Sequence, residues 1–518
     1  MSLKLLLAID VGTQSTRAIV FDAAGALLAK AQVNHEPVHH SPQPGWAEQD
    51  PELYWQAVVS ACQSLWTQSI EPQHIAGLAL TTQRATMICS DAEGRPLRPA
   101  IGWLDQRECS APPRLSAKWR IGFALAGATP LIRHAQQQAE CNWLAQHEPA
   151  LWRNTAKFLL LSGWLSHRMT GEFVDSSGSQ VGYVPFDYKR QQWAAPSDFK
   201  WQAFAIKPNQ LPRLVAPGQP MGALTAAAAA ALGLPASLPV IAAGADKACE
   251  VLGCGAVGSR TAQLSFGTSA TINTTQPRYV EVQRLLPAYP AAMPGAWNTE
   301  IQIYRGFWLV SWFKREFAHR ETALALERGV SVESLFDALI QSVPAGALGL
   351  TLQPYWSPGV RDPGPEAKGA IIGFGDVHTR AHFYRAILEG LVYGLRAGRE
   401  QIEKKLGTGI DRLIVGGGGS QSDVAMQITA DVFNLVAERP AIYETSALGA
   451  AINCAVGLGL HPDHVSAVAA MYKPGQRFVP NPESVRIYDA LYCGVYRELY
   501  PRLKPLYQRI RRITGYPA

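Results

Sequence analysis

The sequence predicts an α/β protein with two domains of similar topology facing each other across a cleft. Three observations predict it. The chain opens with an apolar run, Leu5–Ile9, that ends in Asp10, turns through Gly12-Thr13-Gln14-Ser15 and continues as a second apolar strand. About half a chain later the pattern recurs: Thr261–Phe266 leads into Gly267-Thr268-Ser269 and a further strand. A third stretch, Arg412–Val415, runs into four consecutive glycines, Gly416 to Gly419, and then a helical pattern. One repeat at that spacing is not a solenoid; it fits a duplicated domain. The expected boundary falls between residues 255 and 256, giving domains 1–255 and 256–518.

The elements follow in order. Leu5–Ile9, Thr16–Phe21 and Leu27–Val33 read as a β-meander with a turn at Ala24-Gly25. Residues 51–69 carry Leu53, Trp55, Val58, Val59, Cys62 and Leu65 on one helical face. Asp50 stands as an N-cap and Pro51 in the first turn. Ile75–Thr81 and Thr86–Ser90 read as strands. Meander, helix and strand open an α/β domain with a mixed sheet. Residues 108–235 are helix-rich and irregular. Their tryptophans (Trp143, Trp152, Trp164, Trp193 and Trp201) read as core anchors. Leu238–Ala243 is a buried strand that delivers Gly244-Ala245-Asp246. In the second half, helices are expected around 307–317, 332–343, 381–405, 423–433 and 448–458. A Pro/Gly-rich loop is expected over 354–365, and a helical C-terminal segment over 484–513 with breaks at Pro501 and Pro505.

Composition narrows the class. The 518 residues are 47% hydrophobic and 17% charged, which describes a globular chain with a large core. The formal net charge of +6 is mild, and no dense Lys/Arg block supports nucleic-acid or membrane-surface binding. Eight cysteines contain no C-x-x-C pair and no zinc spacing, so buried free thiols in a reducing compartment are expected. No signal pattern or transmembrane span is read, and the expected location is cytoplasmic.

Chemistry concentrates at the turns. A glycine at position 12 lets the backbone turn sharply and approach a ligand. The hydroxyls of Thr13, Ser15 and Thr16, with the turn amides, offer donors to phosphate oxygens; an ordinary polar hairpin is the alternative. Two such turns suggest a polyphosphate gripped from both sides, with Thr13 and Thr268 as its contacts. Asp10, at a strand end beside the first turn, is placed to hold Mg²⁺ directly or through water, or else caps the turn. Gly416, Gly417, Gly418 and Gly419, followed by Ser420, allow a nucleotide to lie against bare backbone at a helix N-terminus. No Gly-Lys-Ser/Thr follows, so this is not a Walker A loop; the alternative is a flexible strand-to-helix connection. Asp246 is placed to accept a proton from an attacking hydroxyl, while also suiting a helix start.

Taken together these motifs resemble the FGGY carbohydrate kinases of the actin-like ATPase superfamily. The resemblance rests on Asp10-Val11-Gly12-Thr13-Gln14-Ser15-Thr16-Arg17, Trp103-Leu104-Asp105-Gln106-Arg107 and Gly244-Ala245-Asp246. It rests further on Leu264–Ser269, Gly369–Gly373 with His378–Ala381 and Leu388–Gly390, and the run Gly416–Gly419. It covers nearly the whole chain. It implies two ribonuclease-H-like domains around an interdomain catalytic cleft, ATP with Mg²⁺ as donor, and Asp246 as the base. It implies ATP contacts from Gly12, Thr13, Gln14, Gly267, Thr268, Ser269 and the glycine run with Ser420, and a homodimer by family habit. For the acceptor, Gln83-Arg84-Ala85 lacks the Arg-Glu pair of glycerol kinases and the Met-His of xylulose kinases. Lys247 and Thr271 also depart from the glycerol-kinase pattern. Gln83, Arg84, Trp103, Asp105, Asp246 and Lys247 are the expected substrate contacts, with a structural ion pair as the alternative for Asp105 and Arg107. The expected acceptor is a sugar or polyol larger than glycerol, such as the ketopentose xylulose. A glycerol kinase with an altered pocket and a non-catalytic ATP-binding sugar sensor are the alternatives.

Overall fold

The computed structural model describes residues 4–359 and 363–516; residues 360–362 of the expected 354–365 loop lie outside the described residues. The chain divides into two compact units. The first comprises Met1–Gly255, Gln276–Asn298 and Glu444–Tyr472; the second comprises Ala256–Thr275, Thr299–Tyr443 and Lys473–Ala518. The division differs from two contiguous halves because two later segments return to the first unit. The helix Thr445–Gly457, rich in small residues, lies against the strands Leu5–Val11, Ile75–Thr82 and Pro239–Ala245 and against the helix Asp246–Gly253. Close approach there needs glycines. A Cβ on Gly253 would fall 1.9 Å from the Thr445 carbonyl oxygen, and one on Gly449 would fall 2.0 Å from that of Cys249. Asn453 donates through Nδ2 to the Ala292 carbonyl at 3.0 Å, tying both returning segments together.

The main sheet of the first unit runs Pro220–Ala223, Pro239–Ala245, Ile75–Thr82, Leu5–Val11, Ser15–Phe21, Leu27–Asn34 from edge to edge. Leu5–Val11 pairs antiparallel with Ser15–Phe21 and parallel with Ile75–Thr82. All seven of its residues are buried. Leu5, Leu7, Ile9 and Val11 join the core formed with Tyr54, Trp55, Val58 and Cys62 of the helix Pro51–Leu65. Because side chains alternate along a strand, Leu6, Ala8 and Asp10 belong to the opposite face. That helix starts where the sequence places it: the Asp50 side chain accepts from the Glu52 amide at 3.0 Å.

The second unit repeats the plan. Its strands belong to a seven-stranded sheet that runs Tyr289–Pro290, Trp297–Ile303, Ala270–Gln276, Thr261–Phe266, Arg412–Gly416, Ala437–Pro440, Pro474–Phe478. Thr261–Phe266 is antiparallel to Ala270–Gln276 and parallel to Arg412–Gly416, which is in turn parallel to Ala437–Pro440. Each sheet thus has a meander, two parallel additions and an antiparallel edge in the same order, the second carrying the short strand Tyr289–Pro290 outside its meander. The glycine run and the helix Asp423–Phe433 fall where the sequence places them.

Two local readings are corrected. The helix expected over 332–343 is shorter, a 3₁₀ turn Glu333–Leu335 followed by Phe336–Ile340. The C-terminal segment does not break at Pro501 or Pro505: both lie inside the helix Arg497–Thr514, which follows a π-helical turn at Tyr492–Tyr496. Each proline removes one backbone bond from the helix interior, and buried Leu499 and Tyr507 hold the helix down. The tryptophans act as anchors: Trp152, Trp164, Trp193 and Trp201 each donate the indole N–H to a backbone carbonyl. None of the eight cysteines forms a disulfide, and Cys493 alone among them is exposed. Among the described residues, no helix is long and apolar enough to cross a membrane.

Candidate functional site

In the first unit, the strand Leu5–Val11 carries Asp10 to its C-terminal end, opposite Arg17 on the neighbouring strand. Arg17 Nη1 lies 3.2 Å from Asp10 Oδ2 and 3.8 Å from Glu444 Oε2, and Lys30 pairs with the same Glu444. Burial pushes the Asp10 carboxyl up to about 6; Arg17 pulls the other way, while Asp246 and Glu444 add negative charge. The turn is closed by the Gly12 amide donating to the Ser15 carbonyl at 3.0 Å. Gln14 stands exposed at its tip. Thr16 is turned away from any ligand: its hydroxyl is fully buried 2.9 Å from His35 Nε2, and Ser15 is buried as well. Of the three hydroxyls expected to face phosphate, Thr13 is the one left partly exposed.

Thr13 is bonded on two sides. Its hydroxyl donates to Gln83 Oε1 at 2.7 Å and accepts from Trp103 Nε1 at 2.9 Å. Gln83 in turn donates to the Tyr54 hydroxyl at 3.1 Å. One residue assigned to phosphate and two assigned to the acceptor therefore form a single hydrogen-bonded group. Trp103 is 43% exposed, so part of its side chain is available to a ligand.

The loop that holds Trp103 is fixed by the motif around it. Arg107 makes a bidentate pair with Asp105, Nε to Oδ1 and Nη2 to Oδ2, both at 2.7 Å. Asp105 Oδ2 also accepts from the Ala47 amide at 2.6 Å, and Arg107 Nη2 reaches Glu48 at 2.8 Å. The guanidinium lies 3.9 Å from the ring centre of Trp46 and 4.6 Å from that of Trp143. Both Asp105 oxygens are occupied within the protein, which is the ion-pair alternative; a planar fork between two indoles is a task for which lysine is no substitute.

Asp246 is the first residue of the helix Asp246–Gly253, with Ala245 as its N-cap, so it is not the cap itself. Its Oδ1 accepts from the Lys247 amide at 2.7 Å. Burial raises its carboxyl above the ordinary aspartate value, against the pull of Lys247 and Arg84. Lys247 Nζ lies 2.7 Å from Glu250 Oε2. The Arg84 guanidinium sits 5.0 Å above the Tyr289 ring. Ala85, next to it, has φ 48°, a left-handed conformation costly for alanine.

The second unit presents the other turn. Thr268 is exposed. The carbonyls of Gly267 and Thr268 accept from the Phe307 and Trp308 amides at 3.0 and 3.3 Å. Ser269 leads into the strand Ala270–Gln276, and a Cβ on Gly306 would fall 2.1 Å from the Ala270 amide nitrogen. Gly416 ends its strand. Gly417, at φ 84°, passes so close to Phe266 that a Cβ would lie 2.9 Å from its backbone. A Cβ on Gly419 would strike the Phe307 ring at 2.3 Å, whereas one on Gly418 would meet nothing within 4 Å. Bare backbone at Gly418 therefore faces open space. Ser420 is buried, its hydroxyl donating to the Gly417 carbonyl at 2.7 Å. The next helix is capped by Ser422, whose hydroxyl accepts from Ala425 N and donates to Asp337 at 2.5 Å.

Comparison with known proteins places this arrangement. Residues 5–253 match the N-terminal domain, and residues 262–458 the C-terminal domain, of the FGGY family of carbohydrate kinases. An uncharacterized sugar kinase of Escherichia coli (strain K12) is 30% identical over 96% of this chain and 94% of its own. The chain belongs to the FGGY family of carbohydrate kinases. It is a sugar kinase, and its two units have the actin-like ATPase fold of that family. The xylulose kinase of Lactococcus lactis subsp. lactis (strain IL1403) is 29% identical, with 96% of each chain covered. The crystal structure of xylulose kinase from Rhodospirillum rubrum matches at a TM-score of 0.80 and 28% identity, covering 97% of this chain and 100% of that one.

Several parts of this FGGY kinase's site carry no sequence signature. His35 and Tyr54 back the first turn, Glu444 shares Arg17 with Asp10, Tyr289 lies under Arg84, and Phe307 supports the glycine run. Each reaches its place from a distant stretch of chain; Tyr54 stands outside the helical face read from the sequence, though its spacing to Val58, Ala61 and Leu65 would have found it. Among the described residues, no group of three or more His, Cys, Asp or Glu side chains is arranged to hold a metal. One carboxylate aided by water is a donor set that suits magnesium.

Proposed function

We propose that this sugar kinase transfers the γ-phosphoryl group of ATP to a hydroxyl of a sugar or polyol longer than glycerol, with the ketopentose xylulose as the first acceptor to test. The observation that carries the reading is Asp246. A carboxylate stands at the first residue of a helix, raised above its ordinary value by burial and flanked by Arg84 and Lys247. In the reaction the acceptor oxygen forms a bond to the γ-phosphorus, the bond to the ADP oxygen breaks, and the hydroxyl proton passes to Asp246. Gln83, Arg84 and Trp103 supply acceptor contacts, with Asp105 and Arg107 holding the Trp103 loop. Ala85 leaves room beside Arg84 for a longer carbon chain than glycerol. Thr13 and Thr268 follow charge onto the phosphoryl group. Gly416–Gly419 receive the nucleotide, for which the open space beside Gly418 is suited. Mg²⁺, when bound, neutralises phosphate charge, and Asp10 would hold it through water. The names of the relatives support xylulose, and seven buried thiols outside any disulfide support a cytoplasmic setting. A homodimer is part of the same reading.

The test is sugar-dependent ADP release from MgATP over ketopentoses, aldoses, pentitols, tetritols and glycerol. A pentose or pentitol is expected to give the highest kcat/KM. Preference for glycerol would reverse the acceptor assignment, and ATP binding without release from any acceptor would make the chain a sensor. Asp246→Asn is expected to bind ATP normally while losing about 10²–10⁴-fold in turnover, the usual worth of a general base.

A further inference from the structure

The first turn is held from beneath by one residue. His35, directly after the strand Leu27–Asn34, bonds to three of the four residues Thr13–Thr16. Its backbone amide donates to the Gln14 carbonyl at 2.8 Å. Its ring places Nδ1 3.1 Å from the Thr13 carbonyl and Nε2 2.9 Å from the Thr16 hydroxyl. A carbonyl only accepts, so Nδ1 carries the hydrogen; in the neutral ring Nε2 then accepts from Thr16. Burial, which lowers the imidazole below its ordinary value, favours that neutral ring. The Tyr54 ring packs edge-on against the imidazole, centres 5.2 Å apart. Through the Tyr54–Gln83–Thr13 bonds the circuit closes: Thr13 is held at its hydroxyl by Gln83 and at its carbonyl by His35.

We propose that His35 is a positioning residue of the kinase reaction: its Nδ1–H anchors the Thr13 carbonyl and so aims the turn amides, and the Thr13 hydroxyl when it turns from Gln83, at the transferring phosphoryl group. The inference rests on the assignment of Thr13 to the phosphoryl group made above. The imidazole does not touch a substrate. Its effect is on the geometry of a group whose misplacement by about 1 Å would cost up to about 10²-fold in rate.

The two amide side chains separate the ring's two bonds. Asparagine puts a donor where Nδ1 stands; glutamine puts its amide where Nε2 stands. Steady-state ADP release is measured with MgATP and D-xylulose, or with whichever acceptor of the screen above is turned over. His35→Gln is expected to lower kcat about 10-fold or more while the acceptor KM changes less than about 3-fold, and His35→Asn is expected to stay within about 3-fold of the parent on both. Equal activity of the two variants, whether preserved or lost, overturns the proposal, because packing alone does not distinguish Nδ1 from Nε2. Thr13→Val is run alongside. Normal turnover there removes Thr13 from the reaction itself; loss there with an unharmed His35→Gln overturns the role of His35 and leaves Thr13 standing. If either His35 variant fails to melt cooperatively, Thr16→Val and Thr16→Ser take their place. Valine keeps the shape but removes the donor that fixes the ring, and is expected to lose several-fold in kcat where serine does not; equal activity of that pair overturns the proposal.

Discussion

Asp10 is kept at a cost in stability. Its carboxyl is pushed up to about 6 because burial outweighs the pull of Arg17, with Asp246 and Glu444 adding to the negative field. The folded state therefore holds a proton between the ordinary aspartate value of 3.8 and about 6, where the unfolded chain has released it. Stability from this group is fully present below about 4 and is lost as pH rises through about 6. A shift of that size is worth on the order of 3 kcal/mol at 1.36 kcal/mol per unit. Asp10→Asn is thus expected to unfold at a higher temperature than the parent at pH 7.5, to lose that advantage near pH 4, and to be less active. A melting temperature lowered at both pH values would refute the account. Asp10 itself was legible because an acid ending an apolar strand before a glycine is conspicuous. Glu444 and His35 were not, since nothing in their neighbourhoods says which distant side chain they will meet.

At the level of elements, the helix that begins at Asp246 packs closely against the helix Thr445–Gly457. The contact is backbone to backbone at Gly253 and Gly449. A methyl on Gly449 would lie 2.0 Å from the Cys249 carbonyl oxygen and 2.8 Å from its Cα, and neither atom is the movable end of a side chain. Gly449→Ala is expected to destabilise by about 3 kcal/mol, read from denaturant unfolding. Its kcat is expected to fall further than that of a surface Gly→Ala at exposed Gly409, where a Cβ would meet nothing within 4 Å. Unchanged stability would mean that the helices separate without consequence. The helices themselves were readable from periodicity and from Asp50, Pro51 and the glycine run. Their partners were not: a stripe of alanines and glycines announces close packing and says nothing about against what. Pro501 and Pro505 misled for the related reason that local propensity yields where buried side chains such as Tyr507 hold a helix in place.

At the scale of the molecule, the first unit is completed by residues that come long after Gly255. Without Glu444–Tyr472, the strands Leu5–Val11, Ile75–Thr82 and Pro239–Ala245 lose the helix that covers one of their faces. A sheet with an uncovered apolar face binds dyes and aggregates rather than folding cooperatively. A chain ending at Gly255 is therefore expected to show no cooperative thermal transition and to bind a hydrophobic dye strongly. A sharp melt without dye binding would show that the returning helix is dispensable.

By itself the sequence determined the α/β class, the duplicated strand–turn–strand, the positions of Asp10, Thr13, Asp246, Thr268 and the glycine run, and membership of the sugar kinases. These are local signals: periodicity, a glycine where the backbone must turn, an acid at a strand end. The tertiary structure alone decided that Thr13, Gln83 and Trp103 form one hydrogen-bonded group, that Asp105 is spent on Arg107, and that the helix after Glu444 belongs to the first unit. Those outcomes depend on which surfaces meet, and hydrogen bonds between residues dozens of positions apart exist only once burial of apolar faces has brought their strands and helices together.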